Sequence, residues 1–281
     1  MNRPHLFLVP YDSGAYNVRM GAGPLRLREL LSELPAQEIV SRDLFPAEIK
    51  TTFELYRSLA DAVREAGRSA FPIVLAGNCG AVSGLASGIG AEGLGVIWFD
   101  AHGDFMTPET TATGFLDAQA ISILTGRCWT TLAASIPNFA PVPIEHVIHI
   151  GGRDHNEGER DTMTAAGLAL VEPPLRDAEL IVALDAFKPR VTRLLVHVDL
   201  DVIDPAFGTA NGYAAPGGLS PDDVIRAIRI CSERFPIAAL ELASFDPAYD
   251  TDGRIAAAAA RIVEQGSAGR RFHRERCQST G

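Results

Sequence analysis

The sequence is short of cysteine, of basic charge and of long apolar runs, and each shortage narrows what the protein does. Its four cysteines, Cys79, Cys128, Cys231 and Cys277, are scattered through 281 residues without C-x-x-C spacing. They read as reduced thiols of a cytoplasmic protein. Acidic residues outnumber basic ones by 35 to 25, and the formal charge is −10. That excess argues against a polyanion-binding surface, so no nucleic-acid partner is expected; a cationic substrate or a metal ion is compatible with it. The opening residues, Met1 to Pro10, contain no apolar stretch of signal-peptide length, and no run in the chain is long enough to span a bilayer. No membrane partner is expected.

The hydrophobic content is 47% and the charged content 21%, enough for a large core in one domain. No internal repeat or linker interrupts it. The expected domain covers residues 1–266. Residues 267–281 carry four arginines and no apolar period, and read as a mobile basic tail.

The stretch that organises the chain is Val96-Ile97-Trp98-Phe99-Asp100-Ala101-His102-Gly103-Asp104. Its apolar run reads as a parallel strand covered on both faces. The carboxylates and imidazole then lie at the strand's carboxyl end, where open α/β sheets hold ligands. Such groups are costly to bury unpaired, and a metal would satisfy them. The bland alternative is a solvated acidic loop. Far away in sequence, Leu194 to Pro205 repeats the pattern, an apolar strand running into Asp199, Asp201 and Asp204. With Asp199 and Asp201 two residues apart on a strand, both point to the same face. Two such strand ends suit a pair of hard divalent cations.

Further strands are expected at Leu6–Val9, Pro72–Ala76, His146–Ile150, Leu168–Val171 and Ile237–Leu242. Helices are expected from Pro24 through Leu34, over about Ala47–Glu65, after Gly80, from Ser220 with Pro221 at its first position, and around Ile255–Glu264. Strands alternating with helices predict an α/β fold: a three-layer, doubly wound, mostly parallel sheet of eight strands with helices on both faces. The threonine-rich loop Met106–Gly114 is long enough to be functional.

Four ordered motifs resemble the ureohydrolase family of arginases, agmatinases and formiminoglutamases. They are Gly21-Ala22-Gly23-Pro24 followed by Leu25-Arg26, Asp100-Ala101-His102-Gly103-Asp104, Asp199-Leu200-Asp201-Val202-Ile203-Asp204-Pro205, and Glu241 within Leu240-Glu241-Leu242-Ala243. The resemblance implies two Mn²⁺ ions held by Asp100, His102, Asp104, Asp199 and Asp201, with Cys79 standing where the family has a sixth, histidine ligand. That cysteine is similar to the branch containing Nω-hydroxy-L-arginine hydrolase. The implied activity is hydrolysis of a C–N bond in a guanidino or N-hydroxyguanidino compound by hydroxide bridging the two ions. The family also implies a homo-oligomer, a trimer or hexamer.

By position, Asp104 would ligate and orient the attacking water. Asp117 replaces a proton-shuttling histidine and would protonate the leaving amine. Glu241 would pair with guanidino nitrogens. In the substrate loops, the family's hydrogen-bonding side chains correspond to Met106, Thr113 and Phe115, and an aspartate corresponds to Asn156, while Glu159 is retained. Thr113, Asn156, Glu159 and Glu241 are therefore the expected substrate-binding residues, and L-arginine is expected to be a poor substrate. Four carboxylates and a thiolate sum to −5 against +4 for two divalent ions; such an electron-rich site suits a neutral N-hydroxyguanidine better than a guanidinium, and thiolate suits Mn²⁺ poorly. Blander readings stay open. Cys79 can be a small buried apolar residue, Asp117 a helix cap, Glu241 a structural ion pair, and His149 and His197 core histidines. An arginase or agmatinase proper, or a non-catalytic member of the fold, are the alternative functions.

Overall fold

The apolar runs become neighbouring strands of a single sheet. In the computed structural model, which describes residues 3–43, 46–187 and 190–278, the first half contains β1 (Arg3–Val9), β2 (Tyr11–Asp12), β3 (Ala15–Tyr16), α1 (Gly23–Leu30), β4 (Ala36–Glu38), α2 (Glu48–Ala66), β5 (Ala70–Ala76), α3 (Val82–Ile89), β6 (Leu94–Phe99), α4 (Ala120–Leu124) and α5 (Thr130–Ala133). The second half adds β7 (Val147–Ile150), α6 (Glu159–Ala165), β8 (Ala169–Val171), α7 (Asp177–Ala186), β9 (Arg193–Asp199), α8 (Pro221–Arg234), β10 (Ile237–Ala243) and α9 (Arg254–Gln278). Eight strands form one sheet in the order β4-β1-β5-β10-β9-β6-β7-β8. Every pairing in it is parallel, where the sequence predicts a mostly parallel sheet. The remaining pair, β2 and β3, forms a separate antiparallel hairpin.

The strand period of two sorts side chains into two cores. Leu6, Leu8, Ile73, Leu75, Ile97, Phe99, Val196 and Val198 face one helical layer, with Leu27, Leu180, Val224 and Ile255 packed against them. Phe7, Val9, Val74, Val96, Trp98 and Leu195 face the other, with Phe53, Leu59, Val82 and Ile121. Both faces of the sheet are covered, which is why β6 is buried at every position.

Successive strands β5 and β6 are not neighbours, because β10 and β9 lie between them. The chain's winding therefore changes side at this point, the place where open α/β sheets form a ligand crevice at the carboxyl ends of their strands, here those of β5, β10, β9 and β6. The glycine-proline motif seals its rim. A Cβ on Gly23 would fall 2.1 Å from the Phe245 carbonyl oxygen, and one on Gly77 would fall 2.2 Å from that of Tyr11. Only glycine lets these backbones approach so closely.

Several local expectations need correction. Asp201 is not on a strand: β9 ends at Asp199, and Leu200–Val202 is a 3-10 turn capped by the Asp199 side chain. Aspartate favours such local capping over strand continuation. Strand β4 escapes the sequence pattern, since Ala36–Glu38 is exposed throughout and carries no apolar alternation. The first helix stops at Leu30, short of Leu34. The last helix, expected around Ile255–Glu264, runs from Arg254 to Gln278. That segment lacks proline and is rich in arginine, a good helix former. Residues 279–281 of the expected tail lie outside the described residues.

Candidate metal centre

Each candidate ligand sits where a strand has just ended. Cys79 follows β5 in a 3-10 turn, Asp100 follows β6 directly, Asp199 closes β9 and Asp201 follows it. Because these strands are neighbours, residues more than a hundred positions apart meet. The Cys79 thiol donates to Asp199 Oδ2 at 3.0 Å. The Asp201 amide donates to Asp199 Oδ1 at 2.9 Å, and the Ala101 amide to Asp201 Oδ1 at 3.3 Å. His102 Nδ1 lies 3.3 Å from Asp100 Oδ1 and 3.4 Å from Asp201 Oδ2. Donor atoms of Asp100, His102 and Asp201 all lie within 4.8 Å of one another, and so do those of Cys79, Asp100 and His197.

Asp104 has a backbone φ of 49°, a left-handed conformation that an L-residue holds only where its surroundings dictate it, and it is not among the donors that lie within 4.8 Å of one another. Its Oδ2 is buried without a hydrogen-bond partner. Burial, then the charges of Asp100, Asp117 and Asp199, hold its pKa well above the usual carboxylate range. Asp199 is likewise pushed well up, by burial and then by Asp201 and Asp100. Burial disfavours charge on His102, yet the Asp100 hydrogen bond and the charges of Asp201, Asp100 and Asp199 outweigh it and raise its pKa to about 10. Burial also pushes the Cys79 thiol well up, with Asp117, Asp199, Asp104 and Asp100 adding to the effect.

Four carboxylates thus share one buried crevice. Among the described residues no lysine or arginine pairs with their oxygens, and His102 is the one cationic partner. Buried carboxylates with so little compensation fit divalent cations, which accept oxygen and imidazole donors together. The oxygen and imidazole donors of this protein therefore fit a divalent cation, and the Cys79 thiol is the one donor that suits Mn²⁺ poorly.

The surrounding groups fix these ligands. Trp98 Nε1 donates to Asp100 Oδ2 at 3.0 Å, and Asn211 Nδ2 donates to Asp201 Oδ2 at 3.1 Å and to the Ser244 carbonyl at 2.7 Å. Ser244, at φ 61°, brings its hydroxyl within 3.2 Å of the Cys79 sulfur. Arg153 donates to the carbonyls of Gly151, Asp201, Ala215 and Pro216. It ties three loops together beneath the centre. None of Trp98, Asn211, Ser244, Arg153 or His197 stands out as a site residue in the sequence. His197 alone carries a readable signal, since it precedes Asp199 by two on the same strand face.

The chain matches the family model described as the arginase family over residues 3–267. The chain belongs to the arginase family. It is 34% identical to the N(omega)-hydroxy-L-arginine amidinohydrolase of Streptomyces lavendulae over 56% of this chain and 53% of that protein. It is 32% identical to an arginase of Agrobacterium fabrum over 71% of this chain and 65% of that one. In both comparisons the match spans less than two thirds of the relative. The fold matches that of Bacillus caldovelox arginase with a TM-score of 0.82 and 25% identity, covering 97% of this chain and 98% of that one.

In this arginase-family chain the residues expected to meet the substrate divide into a buried set and an exposed set. Asp117 is buried against the Cys79 turn, accepting from Asn78 Nδ2 at 2.9 Å and from the Gly80 amide at 3.3 Å. Burial lifts its pKa to about 7 against those two hydrogen bonds. Glu241 is fully buried beneath the carboxylate layer, paired in register with His197 rather than with Asp199. Neither of its oxygens makes a hydrogen bond of ordinary geometry, and burial pushes its pKa well up. Thr113 and Asn156 are exposed on the rim. The Thr113 hydroxyl accepts from the Phe115 amide at 3.2 Å, and Phe115 stacks on Tyr213 at 5.8 Å. Glu159 is buried, and its carboxylate is already engaged by the Phe105 amide and by both the amide and side chain of Asn156. It joins the loop after Asp104 to the loop before α6.

Proposed function

We propose that the protein is a metal-dependent hydrolase that cleaves a C–N bond of a guanidino compound, with an N-hydroxyguanidine of the Nω-hydroxy-L-arginine type as its preferred substrate. The observation that carries this reading is the approach of Asp100, His102 and Asp201 donor atoms to within 4.8 Å of one another, with the buried carboxylates of Asp104 and Asp199 nearby, in an arginase-family fold. Divalent cations bound there, Mn²⁺ in this reading, would lower the pKa of water to about 7 and polarise the guanidino carbon. Asp100, His102 and Asp201 would hold one ion, and Cys79 and Asp199 would flank the other.

Asp104, with its free Oδ2, orients the attacking water and takes its proton. Asp117 holds a proton near neutrality because burial raises its pKa to about 7, and it delivers that proton to the leaving amine. Glu241 acts from the floor of the crevice, under the guanidino group. Thr113 and Asn156 meet the far end of the substrate at the rim, and Glu159 acts by holding Asn156 in place.

The apolar character of Met106 and Phe115 favours a substrate other than free L-arginine. A charged substrate group deprived of one hydrogen-bonding side chain binds more weakly by about 1.5–3 kcal/mol, roughly ten- to a hundred-fold in kcat/KM. A panel of L-arginine, agmatine and Nω-hydroxy-L-arginine, read out as urea or hydroxyurea, tests the assignment. The hydroxyguanidine should be the best substrate. Turnover of L-arginine with equal efficiency would overturn the substrate assignment, and absence of either product from every compound would overturn the hydrolase reading.

A further inference from the structure

We propose that His197 is a metal ligand, and that with Cys79 and Asp100 it forms a thiophilic cation position of the zinc class beside the harder position at Asp100, His102 and Asp201. The inference rests on the metal part of the reading above and is independent of the substrate.

One donor atom each from Cys79, Asp100 and His197 lies within 4.8 Å of the other two. Zinc bonds of about 2.0–2.3 Å place tetrahedral donors about 3.3–3.8 Å apart, so a small contraction closes the set. The Asp199 carboxylate, 3.0 Å from the Cys79 sulfur, supplies a fourth donor. All four residues are buried.

The state of His197 points the same way. It is fully buried, and neither ring nitrogen has a hydrogen-bond partner. A buried imidazole with two idle nitrogens is costly, and one serving only as core would satisfy at least one of them. Its ring is held in place by stacking on Trp98, with centroids 3.8 Å apart. Its Nδ1 faces Glu241 Oε2 at 3.8 Å, leaving Nε2 for the ion. Metal-bound histidines characteristically give their second nitrogen to a carboxylate, which fixes the tautomer and strengthens the ligand. Glu241 stands where that partner belongs. Thiolate and imidazole together favour zinc-class ions over Mn²⁺, so this position and its oxygen-rich neighbour differ in the ion they select.

Cobalt reports the geometry directly. Metal-free full-length protein titrated with one equivalent of Co²⁺ should show thiolate-to-cobalt charge transfer in the near ultraviolet and intense visible bands of a four-coordinate ion. Cys79→Ser should abolish the charge transfer. His197→Gln should keep it, while weakening Co²⁺ binding at least ten-fold and dimming the visible bands. His102→Asn should leave the first-equivalent spectrum unchanged. Should His197→Gln not fold, the zinc-edge X-ray absorption of His102→Asn loaded with one Zn²⁺ decides the matter: sulfur and an imidazole must both appear in the shell. Binding without thiolate charge transfer, a wild-type-like His197→Gln, or a zinc shell lacking imidazole would each overturn the proposal alone. Absence of any metal binding would overturn it together with the metal-dependent hydrolase reading.

Discussion

Replacing Arg153 with alanine should loosen the centre without touching a metal ligand. The Arg153 guanidinium donates to Ala215 O at 2.8 Å, Asp201 O at 2.9 Å and Gly151 O at 3.0 Å, with a longer bond to Pro216 O. A hydrogen bond from a charged donor contributes about 1.5–3 kcal/mol. Three at the lower bound give about 4.5 kcal/mol, but Arg153 is half-buried, and water can re-satisfy some of the freed carbonyls. A loss of about 2–3 kcal/mol is the expected outcome, lowering Tm by roughly 3–5 °C for a domain of this size. Arg153→Lys should recover less than half, because an ammonium cannot span three carbonyls as a planar fork does. Since the Asp201 carbonyl moves with its side chain, metal affinity should fall as well. Urea unfolding of the metal-free and metal-loaded proteins measures both effects. A loss under about 0.5 kcal/mol, with metal affinity unchanged, would show that the three loops hold their places without the arginine.

Two further outcomes follow from the carboxylates and the caps. In the metal-free protein the pKa values of Asp104 and Asp199 are raised well above the ordinary range, Asp117 to about 7 and His102 to about 10. All four bind protons more tightly folded than unfolded, so their contributions to stability should fall as pH rises: from about 4 upward through the carboxyls, with Asp117 losing its proton near 7, and from about 6.5 to 10 through His102. Urea midpoints in chelator across this range should decline, Asp117→Asn should flatten the lower part, and saturating metal at a thousand times Kd should add about 4 kcal/mol; a flat wild-type profile would contradict the burial argument. Ser220 caps α8 through its hydroxyl and accepts from the Asp223 amide at 3.1 Å, so Ser220→Ala should cost about 1 kcal/mol in chemical denaturation, and a neutral result would mean the capping box with Asp223 is redundant.

The parts of this protein written in local sequence were the strands, the cap of α8 and the residue types of the centre. Apolar runs ending in carboxylates, as at Phe99-Asp100 and Val198-Asp199, announce covered parallel strands with polar carboxyl ends. Alternation with helices announces the doubly wound sheet. Short elements without a pattern, such as exposed β4, were not legible, because their pairing comes from a neighbour and not from their own side chains.

What only the tertiary structure decided is which polar groups face one another. The strand order places β10 and β9 between β5 and β6, and that order sets Cys79 against Asp199 and Ser244 and puts Glu241 in register beneath the carboxylate layer. Only the fold likewise shows that the Glu159 carboxylate accepts from the Phe105 amide and from Asn156. His197 read as an ordinary core histidine, and only the packing around it shows two idle nitrogens facing a thiol and carboxylates. The physical reason is one of range. Strand and helix patterns depend on neighbours within a few positions, whereas the cost of burying charge depends on every group that surrounds it, and the chain delivers those groups from strands more than a hundred residues apart.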